Sequence, residues 1–547
     1  MISGCKTTAV VISSCGQSYS FFHKFIPQYW KQQGIGDNPL HRICSLMRKM
    51  KVESFCAETL NSNDCMKSEF DALENRCEGP VSGEIKRISF FNTKINKIEE
   101  IEEGLNESFL GYIVIINAKL PSGKYKSYIP QAVMKSPTIY KKDEKGFRPL
   151  NKMNQYIHTA KNFDTSINNK KLQIFGSFYC QQNNITNVCA HAALRMIINN
   201  LKTQAKNIDY EIINQLLKID HKTIKMGKYQ YSEDSGFTGV KFKDGLLISE
   251  ITAVLKSFGL KTIYQDCFAE PNMNYADFIY SVVESGYPAL LVFTTTCPSA
   301  HVVPIIGHTL NTDIWYPEAQ YYYRDLEKAP YHPSNAWVDN FVFHDDNMGM
   351  YYNLPVKALQ RVTLPKEDPK FRAFYAIGIL PNNTKFSSNT AQSYASIILN
   401  NILRDYEENP EKFFKNNWMD ELINHMVFQK RFPVIRTMLL EKKTYLKHLK
   451  NLENKYSDNN FEFIENALKG KKWFWMNEIT LPDLYSANRT KLGDILICCD
   501  KQDNPFLLAR LPEILMTPKK TKTGTDIKTH HDMFSFKKED KNESFEW

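Results

Sequence analysis

The chain has 547 residues, of which 42% are hydrophobic and 13% aromatic, so it can bury several cores and is not an intrinsically disordered protein. Its 69 basic and 60 acidic residues leave a formal charge of +9, which is small for this length. Because no zinc-finger spacing and no concentrated basic stripe accompany that charge, we expect no nucleic-acid partner.

The N-terminal segment, residues 1–11, lacks the basic start and long apolar core of a secretory signal. No run in the sequence approaches the roughly 20 apolar residues that a membrane span needs. We therefore expect a cytoplasmic protein with no membrane partner, in which the twelve cysteines are mostly reduced. The sequence contains no Cys-x-x-Cys pair, phosphate-binding loop, dinucleotide fingerprint or zinc-protease helix, so neither a metal nor a cofactor is expected.

Residues 1–165 mix helical and strand patterns. A helical stretch is predicted around Leu40–Leu60, and Pro121-Ser122-Gly123 is typical of a hairpin turn. Strands are predicted at residues 8–13, 87–91, 111–118 and 125–129. We interpret residues 1–165 as a mixed accessory domain.

Residues 166–382 contain the candidate nucleophile, Cys189. The apolar residues that follow it, Ala193, Met196, Ile197 and Leu201, recur at helical spacing, which places the cysteine in the first turn of a helix. Unpaired N–H groups and the positive end of the helix dipole favour thiolate over thiol at that position. Cys189 is therefore predicted to be a nucleophile.

Two later segments supply a histidine and a carboxylate. Residues 285–293 are predicted to form a turn and a strand, and a short loop then leads to His301 at the head of another apolar run. The apolar strand at residues 341–343 is followed by Asp345. A cysteine on a helix, a histidine on a strand and a carboxylate after the next strand are the components of a catalytic triad.

With these features, residues 171–380 resemble the papain-like cysteine peptidases, and most closely the branch of bacteriocin-leader peptidases and phytochelatin synthases. The resemblance rests on a glutamine before the cysteine, the following helix, the stretch from Leu246 to Lys261, and a Gly-x-Pro strand leading to the histidine. It implies an α+β fold with a helical half and an antiparallel β half. It also implies a nucleophile at Cys189, a general base and acid at His301, and an orienting carboxylate at Asp345. Gln182 would then help to form the oxyanion hole.

The oxyanion donor and the third triad member have alternatives. Family members commonly leave five residues between the glutamine and the cysteine, whereas Gln182 leaves six and Gln181 seven; Asn183 has the usual offset. Rivals of Asp345 are Asp346, Asp339 and Asp313. Strand alternation predicts that Asp346 points to the opposite face and tolerates alanine.

Two segments near the predicted cleft lack regular patterns. The interval between His301 and Asp345 contains an aromatic stretch, residues 315–323, which we interpret as an insertion over the cleft. The polar stretch at residues 222–243 is predicted to be a surface loop.

Residues 383–516 are predicted to form an accessory region that is first helical and then β. Long amphipathic helices are expected between Ala391 and Ala467, followed by two strands at residues 473–480 and 492–497. From residue 517 the sequence is polar, so residues 517–547 are predicted to be a mobile tail.

The pattern as a whole predicts a multidomain thiol hydrolase that cleaves an amide or isopeptide bond of a peptide or protein through an acyl-enzyme. One alternative is an acyl or peptidyl transferase that uses the same thiol. Another is a catalytically silent peptidase fold that acts as a protein-binding module. The two flanking regions could bind a protein partner in any of these cases.

Overall fold

A computed structural model describes most of the chain. The described residues are 29, 39–60, 66–102, 105–137, 154–157, 159–201, 208–217, 246–267, 275–294, 300–310, 331–356, 372–381, 384, 387–413, 417–429, 431–451, 458–488, 491–500, 505–512, 514–521 and 524–531. The predictions for residues 8–13, 222–243, 313 and 315–323 fall outside these ranges.

The described residues are mixed helix and sheet, as the α+β prediction requires. The helices are α1 (Pro39–Lys49), α2 (Lys67–Cys77), α3 (Cys189–Asn200), α4 (Tyr210–Leu217), α5 (Ile248–Ser257), α6 (Tyr275–Glu284), α7 (Ser388–Glu408), α8 (Asn417–Ile423), α9 (Lys442–Asn451), α10 (Asp458–Ala467) and α11 (Pro482–Asn488). Within these ranges, no helix combines the length and the apolar character needed to cross a bilayer.

The strands fall into three sheets. They are β1 (Ser54–Leu60), β2 (Ser82–Phe91), β3 (Phe109–Lys119), β4 (Tyr125–Met134), β5 (Asn154–Tyr156), β6 (Lys161–Ile167), β7 (Lys170–Tyr179), β8 (Leu260–Asp266), β9 (Ala289–Thr294), β10 (Ala300–Leu310), β11 (His332–Pro333), β12 (Asn340–Asp345), β13 (Gly349–Pro355), β14 (Arg372–Pro381), β15 (Val434–Glu441), β16 (Trp473–Thr480), β17 (Gly493–Cys498), β18 (Phe506–Leu511), β19 (Ile514–Thr521) and β20 (Gly524–His531). The sheet orders are β1-β2-β3-β4-β7-β6, then β13-β12-β10-β9-β14-β8 with β5 on β10, and β11-β15-β16-β17-β18-β19-β20.

Contacts within the chain define two compact units. The first contains Met1–Met273, Pro288–Gly307 and Phe341–Ile379, and the second contains Asn274–Tyr287, His308–Asn340 and Leu380–Trp547. Each unit is therefore built from several segments of the chain. The division after residues 165, 382 and 516 follows sequence pattern alone and stays a prediction.

The first sheet confirms the strands predicted at residues 87–91, 111–118 and 125–129. The β3–β4 turn is closed by the backbone N–H of Leu120, which donates to the carbonyl of Lys124, and Gly123 has the positive φ of 77° that favours glycine. The helix predicted for Leu40–Leu60 is wrong in its second half, because α1 ends at Lys49 and residues 54–60 form β1. Phe55, Cys56 and Ala57 of that strand are buried, so sheet packing outweighs the local helical pattern.

The second sheet and α3 position the predicted site residues of the first unit. Strands β9 and β10 pair antiparallel, which sets His301 opposite Phe293. Helix α3 is buried along almost its whole length, and two hydrophobic clusters hold it. Ala192 and Met196 belong to one cluster, and Leu194 belongs to the other. The helix that begins at Cys189 is therefore anchored by its apolar side chains.

The third sheet, in the second unit, is larger than the predicted β element. The helical prediction from Ala391 to Ala467 is wrong at Val434–Glu441, which forms β15. Strands β16 and β17 confirm the two predicted strands, and the sheet continues through β19 and β20 to His531, past the start of the predicted polar tail. The residues after 531 lie outside the described ranges.

A row of buried charges crosses four strands of this sheet. The strand register aligns Arg436 with Glu478, Glu478 with Asp494, and Asp494 with Arg510. Arg436 also donates to Glu284 of α6, and its Nη1 lies 2.8 Å from an oxygen of Glu478. Buried charges of this kind are stable only when each one is paired.

Candidate active site

Cys189 is the first residue of α3 and follows a loop that leaves β7 at Tyr179. The preceding residue, Val188, has an extended backbone and supplies no side-chain cap to the helix. At the start of a helix, backbone N–H groups and the helix dipole stabilise negative charge. Cys189 is partly exposed at the start of an otherwise buried helix.

Asn183 organises the loop before the helix. Its side-chain oxygen accepts the backbone N–H groups of Ile185, Thr186 and Asn187 at 2.9, 2.8 and 3.3 Å. Its amide nitrogen donates to the hydroxyl of Thr186 at 2.7 Å. Asn184 has φ of 58°, a conformation that asparagine tolerates better than most residues. Asn183 is buried, and its amide is already used in the fold of the loop.

The two neighbouring glutamines have different environments. The side-chain oxygen of Gln181 accepts from the hydroxyl of Tyr29 at 2.9 Å and from the backbone N–H of Ile129 at 3.1 Å. Gln181 is buried, whereas Gln182 is partly exposed and its amide nitrogen donates to the side-chain oxygen of Asn347 at 2.7 Å. Gln182 is thus the most accessible of the three predicted amides.

His301 lies at the start of β10, with its ring edge against Phe293 at a centroid distance of 5.6 Å. Its Nε2 is 3.1 Å from Oδ2 of Asp345 and 3.4 Å from Oδ1 of Asp346. Burial lowers the pKa of His301, but hydrogen bonds with Asp345 and Cys189 and the charges of both aspartates outweigh it and raise the pKa to about 11.

Asp345 ends β12 and is held from two sides. One carboxylate oxygen faces His301, and the other accepts the backbone N–H groups of Asn347 and Met348 at 2.8 and 2.9 Å. Burial raises the pKa of Asp345, but the hydrogen bond and charge of His301 and these two N–H groups hold it below its usual value. Asp345 is therefore an ionised, oriented partner of the imidazole.

The prediction that Asp346 points away from the site is wrong. Strand β12 ends at Asp345, and Asp346 lies in the following turn, so strand alternation no longer applies to it. Its carboxylate lies beside the same ring nitrogen as that of Asp345. Burial, more than any other cause, raises the pKa of Asp346 to about 7. The hydroxyl of Tyr179 donates towards the backbone carbonyls of both aspartates.

The structure brings Cys189, His301 and Asp345 together, and it places Gln182 beside Asn347, two residues after Asp345. Asp339 belongs to the second unit, and Asp313 lies outside the described residues. Sequence reasoning missed the contributions of Tyr179 and Asn347. The turn-forming run Asp345-Asp346-Asn347 was the available signal for Asn347.

A divalent cation is a second chemistry to consider at this cluster. One nitrogen of His301 and one oxygen each of Asp345 and Asp346 lie within 4.8 Å of one another. However, Nε2 already hydrogen-bonds Asp345, and backbone N–H groups hold the second oxygen of that residue. These contacts explain the arrangement without an ion, so we assign no metal to it.

Comparisons with protein-family models, with curated proteins and with solved structures found no match for this chain. Its function is therefore inferred from the chemistry of its own residues. The relevant chemistry is that of a partly exposed thiol, an imidazole and two buried carboxylates.

Proposed function

We propose that this protein is a papain-like thiol hydrolase that cleaves an amide or isopeptide bond of a peptide or protein. The observation that carries the proposal is the chain of contacts from Cys189 through His301 to Asp345. The thiol starts a helix, the imidazole is on an antiparallel strand, and the carboxylate ends the neighbouring strand. This order of parts supports a papain-like arrangement.

In the first half of the reaction, the thiolate of Cys189 attacks the carbonyl carbon of the substrate. A carbon–sulfur bond forms, and the π electrons of the carbonyl move to its oxygen. The imidazolium of His301 then donates its proton to the leaving nitrogen as the carbon–nitrogen bond breaks. The products of this half are a free amine and a thioester with Cys189.

In the second half, neutral His301 accepts a proton from water as the water oxygen attacks the thioester. The carbon–sulfur bond breaks, the acid is released, and the thiolate of Cys189 is restored beside the imidazolium. Asp345 keeps the ring oriented through both halves, since its second oxygen is fixed by two backbone N–H groups.

Gln182 is the oxyanion donor that the contacts favour. Gln181 and Asn183 use their side-chain oxygens to accept backbone N–H groups, and both are buried. The amide of Gln182 is partly exposed and would act beside the backbone N–H of Cys189. Asn347 accepts from that amide and so holds its orientation.

Selective alkylation tests the proposed nucleophile. At neutral pH, iodoacetamide should label Cys189 faster than the other cysteines, because the imidazolium and the helix start favour negative charge at its position. Cys77 is the matched control for exposure, and burial raises its pKa. Burial also raises the pKa of Cys56 and Cys180 to about 12. Mass spectrometry of labelled peptides over time gives each rate, and equal rates at Cys189 and Cys77 would contradict the proposal.

Alanine variants separate the oxyanion role from loop structure. Gln182→Ala should cost about 2.7 to 4 kcal/mol of transition-state stabilisation while leaving Cys189 labelling and thermal stability near those of the parent. Asn183→Ala should instead lower thermal stability, because three backbone N–H groups lose their acceptor. Turnover and thermal unfolding are measured for both variants. A near-parental rate for Gln182→Ala would remove it from the mechanism.

Cleavage of a peptide library separates hydrolysis from its alternatives. The parent should generate new peptide termini that Cys189→Ala does not generate, and mass spectrometry identifies them. If an added amine acceptor becomes joined to the new carboxyl ends, the same thiol acts as an acyl or peptidyl transferase. If the parent and Cys189→Ala give identical products although Cys189 labels selectively, the fold serves as a binding module, with the flanking regions as candidate partner surfaces.

A further inference from the structure

We propose that Asp346 is a second carboxylate partner of His301, which acts with Asp345 to hold the charged imidazole beside Cys189. This inference rests on the proposed function and adds a positioning residue to it. The geometry that carries it is the approach of two carboxylates from consecutive residues to one ring nitrogen, at 3.1 and 3.4 Å.

The burial of Asp346 indicates that its carboxylate has a role at this position. The residue is only 1% exposed, and within the described residues neither of its carboxylate oxygens has a hydrogen-bond partner. A buried carboxylate without hydrogen bonds is costly, so it needs a nearby cation to be stable in its charged form. Nε2 of His301 lies close enough to supply that charge.

The groups around Asp346 leave His301 as that cation. The neighbours of Asp346 at the end of β7 are Tyr179 and the next residue, Cys180; burial raises the pKa of both, so neither group is charged at neutral pH. From β12 it faces Asp345, which is itself negative. From β10 it faces His301. The imidazolium is thus the positive group among these neighbours.

Two carboxylates on one imidazolium have a chemical consequence. One carboxylate neutralises the positive charge of the imidazolium, and a second carboxylate raises the pKa of the ring further. The thiolate–imidazolium pair then persists to higher pH than a single carboxylate would allow, because Asp346 is ionised above about pH 7. Two backbone N–H groups fix the carboxylate of Asp345, so Asp345 sets the orientation of the ring. Within the part of the chain that the structure describes, the carboxylate of Asp346 is not fixed in this way, so its contribution is its charge.

The pH dependence of Cys189 labelling tests this role. Iodoacetamide labelling should rise in two steps, first when the thiol ionises beside the imidazolium and again when the ring loses its proton. In Asp346→Asn the second step should move to lower pH by about 1 to 3 units, since a negative neighbour is lost. Asp345→Asn should also move it, and Asp164→Asn, which changes an exposed carboxylate on β6, should leave it in place.

The outcomes distinguish this inference from the proposed function. If the second step stays at the parental pH in Asp346→Asn but shifts in Asp345→Asn, the role of Asp346 is overturned and the proposed function is not. A parent that labels like an ordinary thiol, with no early step, would overturn the proposed function itself. Faster labelling of the parent after treatment with a chelator would show that the cluster holds a cation, which also overturns the inference. If Asp346→Asn does not fold, Asp346→Ser provides the same comparison.

Discussion

His301→Ala should lower the rate of Cys189 alkylation at neutral pH by about tenfold or more. An ordinary thiol is only a few per cent ionised at pH 7, whereas a thiol paired with an imidazolium is largely thiolate. The interaction with Cys189 is one cause of the raised pKa of His301, and the ring carries the positive charge that the two aspartates stabilise. Without the ring, the helix start alone would favour the thiolate. The measurement is the labelling rate of Cys189 relative to Cys77 in the same sample.

Stability provides the control for this variant. Removal of the His301 side chain, which is 21% exposed, leaves the buried carboxylates of Asp345 and Asp346 without their cation, so the melting temperature should fall and labelling is measured well below it. A large loss of stability with an unchanged labelling rate would show that His301 is a packing residue. The catalytic assignment would then be wrong.

Arg436→Met should lower the free energy of unfolding of the second unit by about 3 to 5 kcal/mol, because two buried carboxylates lose the guanidinium they share. Glu284 keeps His308 beside it, and Glu478 keeps Lys491. The guanidinium contacts both Glu284 and Glu478, and all three side chains are at most 3% exposed. Urea unfolding followed by tryptophan fluorescence is the appropriate measurement. Six of the seven tryptophans fall within the second unit, so fluorescence reports mainly on that unit.

Arg431→Met is the matched control for that prediction. Arg431 pairs with Asp483 at 3.3 Å, but both side chains are about half exposed, so the loss should be about 0 to 1 kcal/mol. Adding Glu284→Gln and Glu478→Gln to Arg436→Met should recover part of the lost stability, since the two buried negative charges that lost the guanidinium are then removed. Equal effects of Arg431→Met and Arg436→Met would contradict the account of the buried charge row.

The sequence was most informative where the pattern was local. Helical spacing after Cys189 correctly predicted α3, and the apolar runs around His301 and before Asp345 correctly predicted β10 and β12. Each of those elements is a run of apolar residues at regular spacing, and short-range patterns predict the presence and type of such an element well. The proximity of the three residues could be anticipated only from the resemblance to a known family, because it depends on strand pairing between distant segments.

Other features depended on packing that a sequence pattern does not contain. Strand β15 was predicted as helix because its apolar residues, including Met438 and Leu439, also fit a helical stripe, and only the pairing with β16 decides between the two. The position of Asp346 followed from the strand end at Asp345, a boundary that pattern reasoning places poorly. The use of Asn183 as the acceptor for loop N–H groups was likewise not visible in its spacing from Cys189.

The direct test of the central claim is the ionisation state of Cys189, read from the ultraviolet absorbance of thiolate. At about pH 6, well below the value of roughly 8.5 at which an ordinary thiol is half ionised, the parent should show one thiolate more than Cys189→Ser. The same excess should be absent in His301→Ala. If the parent and Cys189→Ser have the same thiolate absorbance until the pH at which ordinary thiols ionise, no thiolate–imidazolium pair exists and the proposed hydrolase mechanism is wrong.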